Sequence, residues 1–290
     1  MKTIGLDINM QKITDCTLVG NIVDWLESKG CTILLRDDTA AAVGLPRLGV
    51  TEECFGARSE CVIVLGGDGT MLRSARQLAA TATPMVGINL GRLGFLTEID
   101  IPEVIPALEK LLAGAYYIEE RMMLEALVYR DGEVVEQIVG LNEAVVTNGV
   151  IARPFYLETY VNEEFVNIYP ANGLIIAGPT GSTAYSLSAG GPLVTPDLDL
   201  MLITPICPHT LWARPLVVSP DSTVRVKILD TGQEEVMLTM DGQHGIPLTG
   251  SDQILVRQAA ARARFLRFKE RGFFDLLRQK LREERTRIID

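Results

Sequence analysis

The sequence predicts two domains of different class: an α/β domain on a parallel sheet, then an all-β, sandwich-like domain, with a C-terminal helix docking back on the first. Three observations predict it. Short apolar runs alternate with helical periodicity over the first part of the chain, strand follows strand with hairpin signals up to about residue 265, and helical periodicity returns at the end. The expected boundaries are 1–100 for the α/β domain, joined by 266–290, and 101–265 for the β-rich domain. A chain of 290 residues suits about two domains of ~150 residues.

The first strand is the apolar run 3–6, followed by a helix in which Leu18, Ile22, Trp25 and Leu26 share one face. A second apolar run covers 32–35. The run 61–65, CVIVL, enters a glycine turn, a helical pattern follows over 71–80, and a further strand covers 85–88 before Asn89. Apolar strands separated by helices imply parallel pairing. After a helix-like stretch at 103–113, the segments 129–133 and 161–164 read as hairpins, and the runs 174–177, 216–219, 224–229 and 236–240 as strands of a double sheet. In the last stretch Phe273, Leu276, Leu277, Lys280 and Leu281 make an apolar stripe with a basic shoulder.

Composition narrows the partners. A net charge of −10 argues against nucleic acid or an anionic membrane, because both require a clustered Lys/Arg excess. An anionic substrate then needs local help from backbone N–H groups, a helix N-terminus or a cation. The five cysteines are scattered without a CxxC pair, no signal segment or membrane-length apolar run occurs, and a cytoplasmic location is expected. With only two histidines, His209 and His244, and neither at ligand spacing, no protein-held metal site is expected.

Gly66-Gly67-Asp68-Gly69-Thr70 stands where a strand gives way to a helix, the place at which open α/β sheets bind ligands. Glycines admit a phosphate to the backbone, yet a carboxylate there repels it unless a cation or a hydroxyl proton intervenes, so Asp68 suggests a general base or a metal partner. The bland alternative is a tight turn in which Asp68 or Thr70 caps the helix. In 89–96, NLGRLGFL, two glycines leave room for a flat ligand beside Phe95, a residue type more often found in a core. The stretch 178–192 is dense in small and hydroxyl residues; Thr180, Thr183, Ala184, Tyr185 and Ser188 offer a polar, neutral surface of the kind an adenine edge or a ribose requires, against the competing reading of a solvated loop. Asn142 and Glu143, at the end of a strand beginning near Val134, have the chemistry to bind ribose hydroxyls or simply to make a bend.

Taken together, GGDGT at 66–70, NLGRLGFL at 89–96, LNEAVV at 141–146, NGLIIAGPTGSTAYSLSAGGP at 172–192, TPICPHTL at 204–211 and DGQ at 241–243 resemble the bacterial NAD kinase family, in order and over nearly the whole chain. The resemblance implies a substrate cleft between the two domains and a homodimer or homotetramer. It implies phosphorylation of the adenosine 2′-hydroxyl of NAD by ATP with Mg²⁺ or another divalent cation, polyphosphate being an alternative donor in some members. Asp68 would be the base, with Gly67, Gly69 and Thr70 in the donor turn and Phe95 against the adenine. Asn142 and Glu143 would hold ribose hydroxyls, and Thr180, Thr183, Ala184, Tyr185, Ser188 and Gln243 would line the dinucleotide site. One position departs from the pattern: Asn172-Gly173 stands where the family commonly has Asp-Gly, exchanging a charge for a neutral amide on the dinucleotide side. Two other readings remain at this stage, a catalytically silent NAD(P) sensor and a kinase for another hydroxyl substrate.

Overall fold

A computed structural model describes residues 1–13, 16–91, 94–148, 155–230, 236–268 and 272–287. The chain forms two units, Met1–Glu120 with Arg264–Asp290, and Arg121–Ala263, and each is described by itself.

In the first unit β1 (Thr3–Ile8), α1 (Thr17–Ser28), β2 (Thr32–Arg36), α2 (Asp37–Ala42), β3 (Gly49–Val50), α3 (Glu52–Arg58), β4 (Cys61–Gly66), α4 (Asp68–Leu78), β5 (Met85–Asn89), β6 (Ile99–Asp100) and α5 (Val104–Leu112) succeed one another. The strands β5, β4, β1, β2 and β3 lie side by side in that order, all parallel. Every residue of β4 is buried, which explains its unbroken apolar run: helices cover both faces of such a sheet. Ile4, Leu6, Ile63, Leu65, Val86 and Ile88 share a core with Ile22 and Leu26 of α1. Each such side chain contributes roughly 1.5–3 kcal/mol by leaving water. The stretch 101–120, grouped with the β-rich part by its sequence pattern, belongs to this unit, because Val104, Leu108 and Leu111 of α5 bury their faces in the same core.

The second unit holds most of β7 (Tyr117–Arg130), then β8 (Glu133–Gly140), β9 (Glu143–Asn148), β10 (Phe155–Val161), β11 (Glu164–Ala171), β12 (Gly173–Ala177), the short α6 (Tyr185–Ser188), β13 (Met201–Ile206), β14 (Leu216–Val218), β15 (Val224–Asp230), β16 (Val236–Met240), β17 (His244–Leu248) and most of β18 (Gln253–Arg267). One sheet runs β14-β13-β12-β9-β16-β17, antiparallel throughout. The other runs β11-β10-β15-β18, with β7 beside β18 and β8 beside β7. Leu174, Ile176, Val146 and Leu238 of the first sheet share one core with Leu157, Val226, Val256 and Leu124 of the second, which makes the unit a sandwich.

The end of β18 belongs to the first unit, where Phe265 pairs in parallel with Met85. Beyond it α7 (Phe273–Arg287) sets Phe273 against Phe95, with ring centroids 6.3 Å apart. The expected return of the C-terminal helix to the first domain is present.

Candidate functional site

Gly67 is extended and ends the β4 turn, and α4 begins at Asp68. The Thr70 hydroxyl accepts from Gly67 N at 3.5 Å and from Asn9 Nδ2 at 3.0 Å, so Thr70 is the capping residue and ties the β1 exit to this turn. Asp68 does not cap. Its carboxylate reaches away and accepts two consecutive amides, Phe95 N at 2.8 Å and Leu96 N at 3.0 Å, while remaining half-buried. Gly94 makes that reach possible, since a Cβ there would stand 1.8 Å from Asp68 Oδ1. The receiving loop is anchored in turn. Leu96 O accepts from Arg267 Nη1 at 3.2 Å, and Glu98 takes the Arg267 guanidinium at 3.1 Å and Phe268 N at 2.6 Å. Gly69 is exposed at the open side of the turn.

Sequence reasoning missed Lys12. Its Nζ lies 2.8 Å from where a Cβ on Gly67 would be, and that ammonium makes no hydrogen bond or ion pair among the described residues. The only signal was an ordinary lysine in a short β1–α1 loop. Nearby, a cavity of about 370 Å³ opens at the ends of β1 and β2. Its charges answer one another: buried Asp7 takes Arg36 at 3.1 Å and Arg73 at 2.9 Å, and Arg36 also pairs with Glu52.

In the second unit the strand begun near Val134 ends just before Asn142 and Glu143 rather than at them, and the bend the sequence offered as an alternative is present. β8 stops at Gly140, and Glu143 opens β9 after a bend. Asp241, at the end of β16, holds that bend by accepting from Leu141 N at 2.9 Å, Asn142 N at 2.7 Å and Glu143 N at 3.2 Å. Asp241 too was missed, although it opens the DGQ motif. Gly178 N donates to Asn142 O at 2.9 Å, and a Cβ on Gly181 would meet that oxygen at 2.2 Å. Gly181 therefore lets this turn pack on the bend, which brings Thr180 toward Asn142 and Glu143. Thr183 Oγ1 donates to Thr180 O at 3.1 Å within the same turn, next to Ala184. Tyr185 and Ser188 are exposed on α6, and Gln243 is exposed in the β16–β17 turn with its N–H on Met240 O at 3.0 Å.

Three of the expected dinucleotide residues carry a buried oxygen with no hydrogen-bond partner among the described residues: Glu143 Oε2, Asn172 Oδ1 and Thr180 Oγ1. Such atoms cost about 1–3 kcal/mol each unless something outside the protein completes them. Burial, and after it the charge of Asp241, pushes the Glu143 carboxyl up to about 8. Phe95 is half-buried, with Phe273 on one side and Lys280 Nζ 5.9 Å from its ring centre. Among the described residues no group of three or more His, Cys, Asp or Glu is placed to hold a metal, and no helix is long and apolar enough to cross a membrane.

Comparison with known proteins gives the family. Residues 4–116 match the family model for the ATP-NAD kinase N-terminal domain and residues 141–268 that for the ATP-NAD kinase C-terminal domain. An NAD kinase of Desulforamulus reducens is 50% identical over 283 residues, covering 98% of each chain. One of Moorella thermoacetica is 49% identical over 290 residues, covering all of this chain and 92% of that one. Among solved structures, yeast NADH kinase complexed with NADH superposes with a TM-score of 0.84 at 25% identity, over 96% of this chain and 86% of that one. An Archaeoglobus fulgidus NAD kinase in complex with ATP gives 0.75 at 26% identity, over 97% and 98%.

Proposed function

Since the chain belongs to the NAD kinase family and is an ATP-dependent phosphotransferase acting on NAD, we propose that Asp68 is the general base that takes the proton of the adenosine 2′-hydroxyl as the γ-phosphoryl group moves onto it. One observation carries the reading: a half-buried carboxylate at the ligand-binding end of a parallel sheet, fixed by two amides of a neighbouring loop. A base must be aimed before it is useful, and two N–H bonds aim this one while leaving further lone pairs for a substrate hydroxyl. Gly67, Gly69 and Thr70 form the donor turn, and Lys12 lends it positive charge toward the triphosphate.

The turn's chemistry suits Mg²⁺ arriving on ATP. With no cluster of three protein ligands among the described residues, the ion would be held mainly by phosphate oxygens, with Asp68 as the carboxylate at hand. Bound there, it would offset the charge of the phosphoryl group being transferred.

On the dinucleotide side, Asn142 and Glu143 take ribose hydroxyls, Asn172, Thr180, Thr183, Ala184, Tyr185, Ser188 and Gln243 line the site, and Phe95, half-buried, packs against the adenine. The three unpartnered oxygens support this, as a hydroxyl-rich ligand supplies the donors they lack. Asn172 keeps an acceptor where a charge is usual, so it contributes recognition without repelling a neighbouring phosphate.

The test is Asp68→Asn, which preserves shape and removes the base. kcat should fall by about 10²-fold or more with KM for NAD nearly unchanged; a turnover near the wild-type value ends this assignment.

A homodimer or homotetramer is supported by Leu211 and Trp212, 86% and 88% exposed side by side in one loop, and a cytoplasmic location by five cysteines that are all free. Size-exclusion of a cleared lysate checks both: kinase activity eluting at monomer mass, or pelleting with membranes, contradicts them.

A further inference from the structure

At the entrance to a strand, backbone N–H groups ordinarily point to water or to the next strand. Those of Leu141, Asn142 and Glu143 instead converge on one carboxylate. Asp241 pays for that position with a left-handed backbone, φ +54°, and with 93% burial of its surface, 7% remaining exposed. Its own N–H returns to Glu143 O at 2.9 Å, which closes a reciprocal clamp. A negative charge so placed stands beside a second carboxyl, an arrangement that stability alone does not favour.

We propose that Asp241 is a positioning residue for the dinucleotide: its grip on three consecutive amides fixes the Glu143 carboxyl as a buried acceptor for ribose hydroxyls. The proposal rests on the assignment of Asn142 and Glu143 to the ribose. Glu143 Oε2, buried and unpartnered in a residue only 6% exposed, is the independent sign that something beyond the protein is meant to complete it. Beside Glu143 on β12 stands Ala177, and beside Ala144 on β16 stands Met240, both apolar, so Asp241 is the charge that acts on it.

A consequence separates this role from a merely structural one. With its carboxyl pushed up to about 8, Glu143 is largely protonated at neutral pH, and loss of that proton turns its second oxygen from a donor into an acceptor for a ribose hydroxyl. Affinity for NAD therefore rises as pH climbs toward that value and then levels.

The experiment measures KM for NAD at saturating ATP across neutral and mildly alkaline pH, for the full-length wild type, Asp241→Asn, Asp241→Glu and Glu143→Gln. Asp241→Asn is expected to raise KM about tenfold with kcat changed by less than about twofold, and to move the midpoint of the KM profile to lower pH, because a like charge is gone. Asp241→Glu keeps the charge and the midpoint but shifts the grip, so KM alone rises. Glu143→Gln removes the titrating group, so its KM is higher and independent of pH. Wild-type KM and midpoint in Asp241→Asn overturn the proposal; if that variant does not fold, an unchanged KM in Asp241→Glu overturns it. A Glu143→Gln enzyme with wild-type KM strikes the ribose assignment itself, whereas a raised KM there with both Asp241 variants silent removes only the positioning role.

Discussion

Asp68 and Asp241 use the same device for different ends. Each is an aspartate within two residues of the end of a strand, and each accepts consecutive backbone amides from a distant part of its own unit: two from Phe95 and Leu96, three from Leu141 to Glu143. Asp68 stays half-buried, while Asp241 is 7% exposed. The difference teaches that amide bonds make a carboxylate precise, and that accessibility then decides its use. Half-exposed, a carboxylate keeps lone pairs open, as the base we propose at Asp68 requires; enclosed, it can only hold its neighbours.

That contrast is open to attack at Asp68. Gly94→Ala is the harshest probe, because the added methyl would stand 1.8 Å from Asp68 Oδ1 and force the carboxylate off its two amides. If aim matters as much as identity, kcat falls by about 10²-fold, close to the loss expected for Asp68→Asn, while NAD still binds. Wild-type turnover in Gly94→Ala would mean that the two amide bonds are ornamental and the parallel with Asp241 is empty. A milder probe asks whether Asp68 works in a turn that already carries a cation. Lys12→Ala should raise KM for ATP about tenfold, the scale of one charge-assisted contact, and leave KM for NAD alone. Equal changes in both constants would place Lys12 outside the donor side.

The sequence made the first of these turns legible and hid the second. GGDGT is a local signal: an apolar run, glycines and helical periodicity meet within a dozen residues, and the structure puts a strand, a turn and α4 there. The sandwich was readable for the same reason, from strand-length runs and hairpin turns. Asp241 acts on residues 98 to 100 positions earlier, a relation no spacing rule reaches. The bend at Asn142 was legible from its residue types, but the strand before it stops at Gly140 and Glu143 already opens β9, a boundary set by the distant Asp241 rather than by any local break. By sequence, Phe95 has two candidate neighbours, a base or a generic core. Its actual neighbour, Phe273, lies far along the chain and became visible only once α7 returned to the first unit.

That return also sets an order in time. The turn bearing Asp68 is translated well before Arg267, which fastens Leu96 and Glu98, and before Phe273, which packs on Phe95. A nascent chain lacking them has GGDGT without the fastening of the loop that aims it, so the carboxylate is held in place only after both have been made.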